Sequence, residues 1–215
     1  GLAHKSNVTI KWVPSEEINE ENAEEILGDV SGIIVPGGFG DRGTDGMITS
    51  IKYAREHNIP FLGLCLGMQL SIVEFARHVC GFNDAHSIEL DPQTTHPVIH
   101  LMADQDGVED IGGAYPCVLA KDSLAHKVYG TDQISERHRH RYEVNNYYRE
   151  DLEKNGMLLS GLSPDGRIVE MCEIPSHPWF IATQAHPEFK SRPNRPHPLF
   201  KGFIGAALEY QEKNK

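Results

Sequence analysis

What most constrains this chain is a set of short, almost wholly apolar runs, each walled by turn residues and followed by residues at helical spacing. Ser31-Gly32-Ile33-Ile34-Val35 and Pro60-Phe61-Leu62-Gly63-Leu64 are such runs. Strands buried on both faces read this way, because helices cover each side of a parallel sheet. Between them, Thr44 to His57 carries Met47, Ile48, Ile51 and Ala54 on one helical face and stops at Asn58, before Pro60. Leu66 to Val79 is apolar around most of its circumference, so it reads as a buried helix. Arg167 to Ile174 and Trp179 to Thr183 are late strands, and Leu199 to Lys213 is a closing helix. Two further expectations lie upstream: a strand over Val8 to Val13, from its alternation, and a short acidic helix over Glu16 to Leu27. From about Asn83 to Asn146 the chain is rich in Pro, Gly and His, with short strand-like pieces such as Pro97 to Met102. The expected fold is an α/β open sheet, mostly parallel, with helices on both faces.

At 215 residues the chain suits one such domain. Its net charge of −11 repels nucleic acid and anionic membranes, so neither is an expected partner. The four cysteines, Cys65, Cys80, Cys117 and Cys172, include no C-x-x-C pair, which argues against a zinc ribbon or a disulfide framework. With no signal-like start and no run long enough to span a bilayer, a reducing, cytoplasmic setting is expected.

Sites in open α/β sheets lie at the carboxyl ends of strands. The first tip gives Pro36-Gly37-Gly38-Phe39-Gly40-Asp41-Arg42-Gly43, which from Gly38 matches G-x-G-x-x-G. A dinucleotide site also needs an acidic residue at the next strand tip, where this chain has Leu64-Cys65. The glycines therefore read as a loop whose bare N–H groups approach a ligand or an oxyanion. The second tip, Gly63-Leu64-Cys65-Leu66-Gly67, has the form of a nucleophile elbow with Cys in place of Ser. Its thiol sits at a helix N-terminus, where the dipole is expected to lower the pKa toward thiolate. A buried structural cysteine is the bland alternative. The third tip, His186-Pro187-Glu188, supplies a base and an orienting carboxylate from one loop.

Pro36-Gly37-Gly38, Phe61 to Gln69 and His186-Pro187-Glu188 together resemble the three signatures of the class I, triad-type glutamine amidotransferases. The likeness runs from about Val8 to Tyr210. Within that class, the tract Arg137 to Asn145 and the stretch His177 to Phe180 resemble the branch whose ammonia converts UTP to CTP. The resemblance implies a flavodoxin-like fold, with residues 1–215 forming a single glutaminase domain that lacks the family's first strand. It implies Cys65 as nucleophile toward L-glutamine, with His186 and Glu188 completing a triad. The oxyanion hole would come from Gly38 and Leu66. Glutamine would be held by Gly38, Leu66, Gly67, Met68, Gln69, Glu89 and Arg141. No metal or other cofactor is expected in this domain. ATP and magnesium would serve a separate synthetase domain that binds UTP, in an enzyme expected to be a homo-oligomer. No G-x-x-x-x-G-K-[ST] occurs in the chain. Where the family usually carries a short insert, Gly112-Gly113-Ala114-Tyr115-Pro116 runs on directly.

The alternatives are another class I glutaminase, an α/β hydrolase with a cysteine nucleophile, or an inactive binding domain. In α/β hydrolases the acid precedes the His, whereas Glu188 follows His186. His138-x-His140 is a possible metal pair, made electrostatically poor by the interleaved arginines. As an RNA patch it is opposed by the overall charge.

Overall fold

A computed structural model describes residues 1–101 and 111–214. In chain order the helices are α1 Ala23–Leu27, α2 Thr44–Glu56, α3 Leu66–His78, α4 Leu124–Tyr129, α5 Arg149–Lys154 and α6 Pro198–Lys213. The strands are β1 Ile33–Val35, β2 Phe61–Leu64, β3 His86–Ser87, β4 Pro97–Leu101 and β5 Ile111–Leu119. They continue with β6 Gln133–His140, β7 Tyr142–Val144, β8 Leu158–Leu162, β9 Val169–Glu173 and β10 Phe180–Thr183.

The main sheet has seven strands in the order β1-β2-β10-β9-β8-β5-β6. Its parallel part pairs Ile33 with Phe61 and Phe61 with Phe180, which brings the carboxyl ends of β1, β2 and β10 to one edge. The remaining pairs, from β10–β9 through β5–β6, are antiparallel, so the sheet is mixed and the parallel arrangement is confined to the three strands that carry the site. A smaller sheet, β3-β4-β7, stands beside it.

Both faces of the central strands are covered, as their unbroken apolarity demands. Phe61, Phe180 and Ala182 face one core, shared with Ile51 of α2 and Leu70 of α3. Leu62, Leu64 and Ile181 face the other, against Leu199 and Phe203 of α6. The Phe61 and Phe180 rings stack at 4.5 Å. A guanidinium–carboxylate pair joins α2 to α3: Arg55 donates from Nε and Nη2 to Glu74, whose side chain is fully buried.

Several expectations change. Val8 to Val13 is extended but forms no strand. Its alternate side chains face water, Trp12 at 86% exposure, and it is tied down by Lys11, whose Nζ donates to Ile26 O and Asp29. Alternation promises a half-buried face, and here only Val13, at the end of the segment, packs against a core. The acidic helix shortens to α1, because Asn19 and Asn22 exchange side-chain and backbone hydrogen bonds and hold a turn in front of it. Strand β1 is buried on one face only, with Ile34 turned outward. The strand expected over Pro97 to Met102 is β4, and Met102 lies outside the described residues. The largest omission is the β5–β6 hairpin, which fills much of the Gly- and His-rich middle. It runs straight through Gly113, paired with His138 at φ +119.

Candidate active site

The elbow forms because two glycines permit it. A Cβ on Gly63 would stand 2.9 Å from Ala182 Cβ and from Gly67 O, and one on Gly67 would stand 2.1 Å from Val35 O. With both absent, α3 packs directly on β1 and β2, and the chain reverses within one residue. That residue is Cys65, at φ 51 and ψ −104, a backbone region that L-residues rarely adopt.

Cys65 is almost wholly buried. Gln184 Nε2 donates to its Sγ at 3.6 Å, and Sγ donates to Arg139 O at 3.8 Å. Burial is the largest influence on the thiol and pushes its pKa up to about 11, while Glu188 and Glu89 raise it further. The Leu66 N–H and Gln184 act the other way and lose. The helix start thus pulls in the expected direction, but desolvation reverses the net shift, and the resting group is a thiol.

His186 follows β10. Its Nδ1 lies 2.6 Å from Glu188 Oε1, and its backbone N–H donates to Arg137 O at 2.8 Å. Its Nε2 is buried without a hydrogen-bond partner. Gly37 reports how near the ring is to the thiol residue: an added Cβ would lie 3.0 Å from His186 Cε1 and 3.3 Å from Cys65 Cβ. Both side chains therefore flank one bare glycine.

A cavity at this edge is lined by Gly38, Phe39, Gly40, Cys65, Leu66, Gln69, Glu89, Arg139, His140, Arg141 and Tyr142. Of the residues expected to hold glutamine, Gly38, Leu66, Gln69, Glu89 and Arg141 line it. Gly67 and Met68 do not: Gly67 packs on Val35 O, and Met68 is fully buried in the core. Gln69 donates from Nε2 to Tyr142 O and to Gln184 Oε1, so its amide is fixed by structure already present. Burial raises the pKa of Glu89, and Arg141 pulls it back, which places the two charges within electrostatic reach.

A model of the family described as glutamine amidotransferase class-I matches residues 2–206. The chain belongs to the class I glutamine amidotransferases. Its glutamine amidotransferase relatives include CTP synthase of Staphylococcus epidermidis, 57% identical over 218 residues, and CTP synthase of Staphylococcus aureus strain JH9, 58% identical over 217. Each alignment covers 99% of this chain but only 41% and 40% of those proteins, so the chain spans about two fifths of their length. Among solved structures, the Trypanosoma brucei CTPS glutaminase domain with bound acivicin superposes at a TM-score of 0.92. It is 39% identical, with 97% of this chain and 83% of that chain covered. A Thermoplasma acidophilum protein assigned to GMP synthase shares the fold at 21% identity and a TM-score of 0.62, with 95% of this chain and 83% of that chain covered.

Two residues of this amidotransferase site escaped the sequence reading. Gln184 directly follows β10 and stands two residues before His186, and a buried polar side chain at a strand tip was the available signal. Arg139 lines the cavity with its guanidinium 5.7 Å from the Phe39 ring centre. Its signal was weaker, since only the β5–β6 pairing shows that the arginines of this tract alternate away from the histidines.

Proposed function

We propose that this chain is the glutaminase domain of a CTP synthase, and that Cys65, His186 and Glu188 hydrolyse L-glutamine to glutamate and ammonia. The observation that carries this reading is the elbow: a thiol in a rare backbone conformation, beside a His–Glu pair whose second imidazole nitrogen is unpartnered. With its pKa near 11, Cys65 needs a base, so His186 Nε2 takes the thiol proton as Sγ attacks the side-chain carboxamide carbon. Glu188 holds Nδ1 and stabilises the imidazolium that results. The N–H groups of Gly38 and Leu66 receive the negative oxygen of the tetrahedral adduct, Leu66 with the added field of the α3 N-terminus. His186 then protonates the departing amine, leaving a thioester on Cys65, and a water activated by the same imidazole releases glutamate. Glu89 pairs with the α-ammonium and Arg141 with the α-carboxylate, while Gln69 and the first turn of α3 shape the side-chain slot.

In the complete enzyme the ammonia would pass to a synthetase domain that uses ATP and magnesium to aminate UTP. The 57% identity to the S. epidermidis CTP synthase, together with the 39% identity to a glutaminase domain of the same kind, supports that branch of the family. The test is ammonia release from glutamine by the purified chain. Wild type is expected to release it, while Cys65→Ala releases none and keeps its circular dichroism. Full activity in Cys65→Ala would end the assignment.

A further inference from the structure

Strand β6 sorts its side chains by parity. Arg137 and Arg139 are exposed, and Arg141 just beyond the strand is exposed too, whereas His138 and His140 turn inward. The alternation removes the electrostatic objection to His138-x-His140, since the guanidiniums leave on the opposite side of the strand. Inside, the histidines meet Glu170 of β9. His138 Nδ1 and His140 Nε2 are hydrogen-bonded to each other at 3.3 Å, and His138 Nδ1 is 3.2 Å from Glu170 Oε2. The three ligand-capable atoms lie within 4.8 Å of one another, and all three residues are buried.

From these positions we infer that His138 Nδ1, His140 Nε2 and a carboxylate oxygen of Glu170 form a binding site for a divalent cation of the zinc class. Three geometric facts support this. Ligands about 2.0–2.2 Å from a tetrahedral ion stand about 3.3 Å from one another, and two of the separations have this value. Glu170 Oε2, although 3.2 Å from a ring nitrogen, makes no hydrogen bond. Finally, His140 Nδ1 lies 2.9 Å from Tyr142 O, so it donates there and keeps Nε2 as the lone-pair nitrogen on the cluster side. A ligating histidine is normally oriented in this way by a carbonyl behind it.

Charge fits as well. Glu143 is buried and close enough to act electrostatically on Glu170. Glu143 also lies within electrostatic reach of Arg149, so Glu170 is the carboxylate that would face the ion directly. Two nitrogens and one oxygen suit zinc better than calcium or magnesium, which prefer all-oxygen shells. The ion would tie the outer strand of the β5–β6 hairpin to β9, beneath the strand that presents Arg139 and Arg141 to the cavity. His140 also lines the cavity, so the ion would brace the wall of the site.

The competing occupant of the cluster is the proton that His138 Nδ1 donates to His140 Nε2, and experiment separates the two. The 215-residue chain, purified without chelator or affinity histidines, is assayed for metal by mass spectrometry and then titrated with zinc against a chromophoric chelator. We expect about one tightly held zinc per chain. His140→Ala and Glu170→Gln should each weaken binding about tenfold or more, and zinc should raise Tm in wild type only. Because these variants could fail to fold, cobalt(II) is added to the unaltered chain, where a tetrahedral d–d spectrum displaced by zinc is the positive sign. No retained metal together with no cobalt spectrum overturns the proposal. So does zinc binding that survives in folded Glu170→Gln, which would assign it to surface pairs such as His96–Asp84 and His126–Asp132.

Discussion

Cys65 reacts as a thiol whose proton is held by burial. With the folded pKa near 11 against an ordinary 9.0, its alkylation by a small neutral electrophile should be slow at neutral pH. The rate should climb about tenfold per pH unit until it levels near the folded pKa. A plateau already present at pH 7 would mean that an imidazolium–thiolate pair had formed instead. The stability linkage has the corresponding sign. Between the unfolded and folded pKa values the native state binds the extra proton, so this group's contribution is complete below about 9 and is lost as pH rises toward 11. In the proposed reaction, Glu89 and Arg141 act on binding rather than on bond breaking. Removing either charge-assisted hydrogen bond, worth about 1.5–3 kcal/mol, should raise KM for glutamine roughly ten- to hundredfold with a smaller change in kcat. Unchanged KM in both Glu89→Ala and Arg141→Ala would place them outside the pocket.

Helix α3, which starts at the elbow, is tied to α2 by an ion pair. Arg55 of α2 is 17% exposed, and Glu74 of α3 is 0% exposed. Arg55→Ala strands a carboxylate in the core, leaving it only the weaker contact to His78 Nδ1 at 3.2 Å. Breaking such a pair costs about 3–5 kcal/mol, so Tm should fall by about 6–20 °C in a thermal melt. The double variant Arg55→Met with Glu74→Leu should recover most of that loss, which a purely packing role for Arg55 does not predict. The same elements show why some of the fold could be read in the sequence and some could not. Strand β2 and helix α3 were plain because a doubly covered strand and a buried helix write their burial as unbroken apolarity. The β5–β6 pair was not, because β6 alternates buried Glu136, His138 and His140 with exposed Ser135, Arg137 and Arg139, so a strand patterned in burial carries no apolar signal in its sequence. The Val8 to Val13 segment erred in the other direction. Its pattern was that of a strand, yet a ladder needs a second backbone, and the described residues place none beside it.

Over the whole molecule, glycines and strand tips converge on a single edge, which is why Cys65, His186 and the loop at Gly38, proposed as nucleophile, base and oxyanion loop, could be picked out from motifs far apart in the chain. The cavity floor could not. Whether Met68 faces substrate or core depends on the rotation of α3, and Gln184 acquires its role only when β10 is laid beside β2. For the chain as a unit, the expected division of labour is a glutaminase without a synthetase. Given UTP, ATP, magnesium and ammonium salt, it should form no CTP by chromatography, although glutamine alone yields ammonia. Nucleotide product from ammonium would reveal a phosphate site beyond those described. The backbone of residue 65 has one more consequence for anyone who engineers this protein. A non-glycine residue held at φ 51 and ψ −104 carries about 1–3 kcal/mol of strain that glycine would largely relieve. Selecting a library for heat tolerance alone would thus reward Cys65→Gly, so variants that survive longest in such a screen would include ones that have traded away the nucleophile, and any directed evolution of this fold needs a turnover readout alongside the melt.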